Sequence, residues 1–207
     1  MAYRTIEKKV NLLELDKIVR SPLNFLNVEE YLKLEQDAEI RHEYVAGQIY
    51  GMTGSSREHN LIATNLITLL RPHLRGGSCR GFVSDMKVEI QTRSQRADFF
   101  YYPDVVVTCD PQDRERYFLT SPCLVIEILS PSTQATDKRE KRINYQTIES
   151  LQEYVLVSQD EIKVEVYRRD DNGNWTVEIL SRDDDLSLNS VGLTLTMADI
   201  YEDVFSF

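Results

Sequence analysis

The sequence predicts a mixed α/β fold in which a central mixed sheet is flanked by helices and an additional hairpin lies near the C-terminus. Three observations carry this. Short β-branched runs at residues 105–108, 123–129 and 153–157 read as strands buried on both faces. A hairpin and a strongly periodic apolar helix precede them. A helical segment, residues 136–148, separates the last two runs, as expected of strands joined by a crossover.

The elements follow in order. Residues 1–26 form a mixed lead-in that ends just after Ser21-Pro22, and residues 27–207 form one domain. Asn27 before Val28-Glu29-Glu30 is an N-cap with two acids in the first turn of a short helix to about Gln36. Residues 39–53 alternate around Ala46-Gly47 as a hairpin. From Ser56, the positions Leu61, Ile62, Leu66, Leu69 and Leu70 recur at helical spacing and stop at Pro72 and Gly76-Gly77. Residues 82–90 alternate as one strand. In the 136–148 helix, Ile143 and Ile148 supply the apolar side, and Asp137, Lys141 and Tyr145 a polar face. A hairpin turns at Asp171-Asn172-Gly173-Asn174, and residues 196–204 close the chain as a small helix.

Composition bounds the function. The 207 residues carry 42% apolar and 28% charged side chains, with 8 Gly and 6 Pro, which excludes collagenous and disordered classes. No apolar run reaches the roughly 18 residues of a membrane span, and the N-terminus lacks a signal core. Cys79, Cys109 and Cys123 show no CxxC spacing, so neither a disulfide framework nor a zinc knuckle is expected, and a reducing cytoplasm fits. The net charge of −10 argues against a nucleic-acid partner, but its distribution weakens that argument: residues 1–80 are net +1 and residues 160–207 net −8.

Two carboxylates stand where the sequence makes them costly. Glu127 interrupts Leu-Val-Ile-Glu-Ile-Leu, and Asp104 opens Val-Val-Val after Pro103. Buried carboxylates are normally paired, protonated or metal-bound. On neighbouring strands the two could reach one hard divalent cation, Mg²⁺ or Mn²⁺. The bland alternatives are a wet edge strand or an arginine pair for Glu127, and ordinary Pro-Asp turn chemistry for Asp104. Lys141 could orient a water or neutralise phosphate charge, or else belong to a solvated helix face with Lys138, Arg139 and Arg142. Asp85-Met86-Lys87 imitates an acid-x-Lys pair, with a solvated face the plainer reading. His59 near a helix start could lie by a phosphate, and Glu43 could add a third carboxylate, although a structural histidine and a surface acid are the defaults. Asp137 and Tyr145 complete the accessory set.

These residues, taken in order, resemble a known family. Glu43-Tyr-Val-Ala-Gly47, His59 opening a helix, Pro103-Asp104, Val125-Ile-Glu127-Ile-Leu-Ser130-Pro131-Ser132-Thr133, Asp137 with Lys141 and Tyr145, and Glu153-Tyr154 look like the Uma-two family of endonucleases. Its members have the restriction-endonuclease-like PD-(D/E)XK fold and are numerous in cyanobacteria. The resemblance spans about residues 28–204. It implies that Asp104 and Glu127 match the metal-binding acids, that DNA is the substrate, and that the protein is a homodimer. The superfamily pattern wants a lysine two residues after the second acid, where this chain has Leu129. The resemblance therefore implies a migrated lysine, Lys141 first and Lys87 second. The expected activity is Mg²⁺-dependent DNA hydrolysis. The alternatives are a non-catalytic dimeric binding module on the same fold, and action on RNA or a nucleotide.

Overall fold

A computed structural model describes residues 25–91, 98–131 and 133–206. Apart from residues 25 and 26, the lead-in lies outside the described residues, as does Ser132.

The helices are α1 (Val28–Asp37), α2 (Arg57–His73), α3 (Gln134–Thr136), α4 (Arg142–Tyr145) and α5 (Met197–Ile200), with a π-helical segment, Asp137–Lys141, joining α3 to α4. The strands are β1 (His42–Val45), β2 (Gln48–Gly51), β3 (Arg80–Val83), β4 (Lys87–Gln91), β5 (Asp98–Tyr101), β6 (Val105–Thr108) and β7 (Phe118–Leu119). They continue with β8 (Pro122–Leu129), β9 (Glu153–Ser158), β10 (Val164–Arg169), β11 (Trp175–Leu180), β12 (Asp185–Leu188) and β13 (Leu193–Thr196).

The mixed α/β class stands, but the strands divide more finely than the sequence suggests. A six-stranded sheet runs β11-β10-β9-β8-β6-β3, a five-stranded sheet runs β2-β1-β5-β4-β7, and β12 pairs with β13 alone. In the six-stranded sheet β8 and β9 are parallel, and the helical rod at 134–145 crosses between them. The expected single strand over 82–90 is two strands in different sheets, because Ser84 takes a left-handed conformation (φ 56°) and breaks the run. Strands β5, β7, β12 and β13 were not expected from the sequence. Elsewhere local signals hold. Asn27 and Glu30 form a reciprocal capping box on α1. The β1–β2 hairpin turns through Ala46 and Gly47, both at positive φ.

The six-stranded sheet is covered on both faces. On one side Ile62, Leu66 and Leu70 of α2 pack on Val105, Val107, Leu124, Ile126 and Ile128. On the other, Val106, Val125, Tyr154 and Leu156 meet Val88, Ile90, Tyr101 and Tyr145. Side chains alternate along a strand, so Glu127 points away from α2, towards the second sheet and the helical rod.

On the rod, the solvated-face alternative for Lys141 falls and the expectation for Ile143 is corrected. The rod's polar face is turned inward: Asp137 and Lys141 are buried, and Tyr145 lies in the core. Ile143, expected on the apolar side, is exposed instead. Lys138 pins the rod to β10 through a 2.8 Å ion pair with Glu165. Burial pushes the Glu165 carboxyl up, but the lysine contacts outweigh it and its pKa lies below the ordinary value. The lowered pKa means that the pair stabilises above the unfolded carboxyl pKa and is lost as pH falls through the folded one. Lys138→Ala is expected to cost at most about 1 kcal/mol at pH 7 in urea denaturation, and progressively less as pH falls through the lowered Glu165 pKa.

The cysteine reading is also corrected, by one disulfide between Cys79 and Cys109. Arg80 pairs with Thr108 across β3 and β6, and continuing that register sets Cys79 opposite Cys109. A separation of 30 residues concealed this. Cys123 remains a free, buried thiol, which burial pushes up to a pKa of about 11. Alkylation of the denatured, unreduced protein is expected to label one cysteine, and three after reduction. Reduction is expected to cost about 3.6 kcal/mol for a loop of this length.

Candidate active site

The acids at 104 and 127 meet because of strand register. Strand β6 lies antiparallel to β8 with Val105 opposite Ile126, so the next pair outward is Asp104 with Glu127. Asp104 Oδ2 accepts a 2.7 Å hydrogen bond from the Ile128 amide, which fixes the carboxylate over the strand end. His59, from the first turn of α2, places Nε2 3.3 Å from the same oxygen. Burial works against a charged His59, but its hydrogen bond and charge contact with Asp104 win, and its pKa lies above the ordinary histidine value. Ser56 caps α2 by accepting from the His59 amide and donates to Gln159 just beyond β9.

Lys141 occupies the middle of the acidic group. Its ammonium lies 2.8 Å from Glu43, 3.3 Å from Asp137 and 3.5 Å from Glu127. All four side chains are at least 85% buried. Desolvation alone would lower the Lys141 pKa, yet the carboxylates of Glu127, Glu43 and Asp137 hold it well above the ordinary lysine value. Burial pushes Glu127 far up the carboxylate range; Lys141 pulls back, while Asp137, Asp104 and Glu43 add to the rise. The π-helical segment delivers Asp137 and Lys141 together, and such segments recur at functional sites.

Asp104, Glu127, Lys141, Asp137 and His59 thus line one open cleft of about 570 Å³, and Glu43 stands against Lys141 at its back. Glu43 is not the surface acid that its hairpin suggests, and Glu127 lies on an inner strand with a lysine, not an arginine, as its cation. Two members of the expected set lie elsewhere. Tyr145 packs between Tyr101 and Tyr154, its hydroxyl buried without a hydrogen bond. Lys87, expected on a solvated face, is buried in a neighbouring cleft, where it donates to Tyr102 Oη at 3.2 Å. Gln159 and Tyr102 were missed, since nothing local in the sequence links them to residues 56 or 43.

The donor set can be matched to a divalent cation. Among the described residues no three His, Cys, Asp or Glu side chains converge as a complete cage. Asp104 Oδ2 and Glu127 Oε1 carry the contacts found among the described residues, which leaves the second oxygen of each carboxylate as the donor for a cation, and Mg²⁺ is commonly held by one or two carboxylates with waters and phosphate completing its shell. Asp137 Oδ1 is buried without a hydrogen bond of good geometry, its partner being the Lys141 ammonium at 3.3 Å. The chemistry therefore fits a small, hard cation.

The sequence pattern of one family, Uma2, described as "Putative restriction endonuclease", matches residues 28–198. The chain belongs to the Uma2 family. Among relatives from Synechocystis, the uncharacterized protein slr1290 is 41% identical over 182 residues, covering 87% of this chain and 94% of that protein. A second, sll1609, is 33% identical over 161 residues, covering 76% and 89%. A solved structure from Anabaena variabilis, titled a putative nuclease belonging to DUF820, superposes with a TM-score of 0.70 at 22% identity. It covers 87% of this chain and 99% of its own, and shows that the Uma2 chain shares its fold. No helix among the described residues is long and apolar enough to cross a membrane.

Proposed function

We propose that this Uma2 protein is a divalent-metal-dependent endonuclease that hydrolyses phosphodiester bonds in DNA. The observation that carries the reading is the pairing of Asp104 with Glu127 at adjoining strand ends, opening on a cleft with Lys141 and His59. Asp104 and Glu127 are the residues that would hold Mg²⁺ or Mn²⁺, which when bound supplies Lewis-acid stabilisation of phosphate charge and a more acidic water. The Ile128 amide and His59 orient Asp104. Lys141, held by Glu43, Asp137 and Glu127, fixes those carboxylates and presents a positive charge towards the cleft. His59 is placed to contact a phosphate oxygen or to hold a proton near one. Cytoplasmic location and homodimeric assembly belong to the same reading.

The test is cleavage of supercoiled plasmid and of single-stranded DNA with Mg²⁺ or Mn²⁺, and with chelator. Nicking that chelator abolishes supports the reading. One observation favours a second reading, a non-catalytic binding module: Lys141 already neutralises the acids from within. That reading expects neither cleavage nor cation binding.

A further inference from the structure

A second cleft of about 530 Å³ adjoins the first, and Glu39, Ile40, Arg41 and Tyr102 form the wall they share. Tyr102 joins the two electrostatically. Its amide donates to Glu43, the carboxylate that holds Lys141, and its hydroxyl accepts from Lys87 on the other side. That hydroxyl in turn donates to Glu35, whose second oxygen faces His42 at 3.1 Å.

Lys87 is the unexplained group. Only 6% exposed, it has no carboxylate within ion-pair distance among the described residues, and its sole hydrogen-bonded contact is a neutral phenol. Desolvation holds its pKa below the ordinary value, and the Glu35 charge only partly restores it. Buried cations without a counter-ion are costly, and apolar replacements of similar volume are often neutral or stabilising. Arg116 lines the same cleft, also without an ion pair among the described residues, and lies against the ring of the exposed Tyr117. Arg41 stands at the junction, paired with the exposed Asp85 at 2.5 Å. Beside the carboxylates of Glu35, Asp37, Glu39 and Asp85, the cleft thus sets Lys87 and Arg116, neither in an ion pair among the described residues, near an aromatic ring, the pairing that single-stranded nucleic acids use for phosphate contact and base stacking.

We propose that this second cleft binds the nucleotide that flanks the scissile phosphate on the substrate strand, with Lys87, Arg116 and Arg41 on its phosphate and Tyr117 against its base. The shared wall puts the two clefts next to each other. The assignment rests on the nuclease reading, which gives the first cleft its phosphate. Lys87 is accordingly a binding residue, distinct from the hydrolytic group at Asp104 and Glu127.

The test is fluorescence-anisotropy titration of a labelled, 5′-phosphorylated pentanucleotide in chelator, with the full chain and with Lys87→Met and Arg116→Ala. Each substitution is expected to weaken binding about tenfold, a loss of one good contact. Lys87→Met is expected to melt at the same temperature as the natural chain or higher, which a structural lysine would not do. Arg116 is exposed, so its variant tests binding even if Lys87→Met folds poorly. Affinities within twofold of the natural chain for the folded variants overturn the subsite. Cleavage that persists while binding ignores both substitutions overturns the subsite alone. Lys87-dependent binding without cleavage in any divalent cation overturns hydrolysis and leaves a nucleotide site. Absence of both binding and cleavage overturns both.

Discussion

Glu127→Gln is expected to lower the initial rate of plasmid nicking on the order of a thousandfold or more, with Asp104→Asn falling in the same range. The argument is geometric. The amide isosteres keep the shape of each side chain while removing the negative charge that would attract a cation, and the register of β6 on β8 sets these two acids side by side at the strand ends. Folding is expected to survive in both. Glu127 is 3% exposed and its charged form is opposed by burial, so a neutral amide relieves a cost. Asp104→Asn retains an oxygen for the Ile128 amide. Equal melting temperatures with lost nicking would assign the effect to chemistry. Unchanged nicking in either variant would remove that acid from the proposed site.

Lys141→Met is expected to act on stability as strongly as on activity. It strands Glu43, Asp137 and Glu127 around an apolar group, and breaking a buried ion pair from one side costs about 3–5 kcal/mol. The loss is expected to shrink towards acid pH, where the stranded carboxylates take up protons. A urea-denaturation cycle with Glu127→Gln checks the cause: the double variant should recover part of the lost stability, because residues that share one charge network are not additive. A strictly additive cycle would contradict the coupling. Lys141→Arg keeps the charge but not the ammonium's position, so it should recover more stability than nicking.

The two acids that meet at the strand ends were legible as candidates from local sequence. A glutamate inside an aliphatic β8 has no place in an ordinary core, and an aspartate at the head of Val-Val-Val adds weight only beside it. The capping box of α1 and the apolar stripe of α2 were equally local signals. What the sequence concealed was set by long-range pairing. The division into separate sheets turns on one left-handed residue, Ser84, inside a pattern that alternates without interruption. The disulfide depends on the β3–β6 register, and the inward rotation of Asp137 and Lys141 on the π-helical segment between α3 and α4. Lys87 looked solvated because alternation reveals only which residues share a face. Whether that face is wet depends on α1 and β5, which supply Glu35 and the neighbourhood of Tyr102.

The central claim is that Asp104 and Glu127 together hold a divalent cation, and Mn²⁺ titration followed by electron paramagnetic resonance tests it without requiring a substrate. The account predicts one saturable site on the natural chain, which is weakened at least about tenfold in Asp104→Asn and in Glu127→Gln and retained in Lys87→Met. An absence of bound Mn²⁺ in the natural chain, or a site indifferent to both acids, would contradict it.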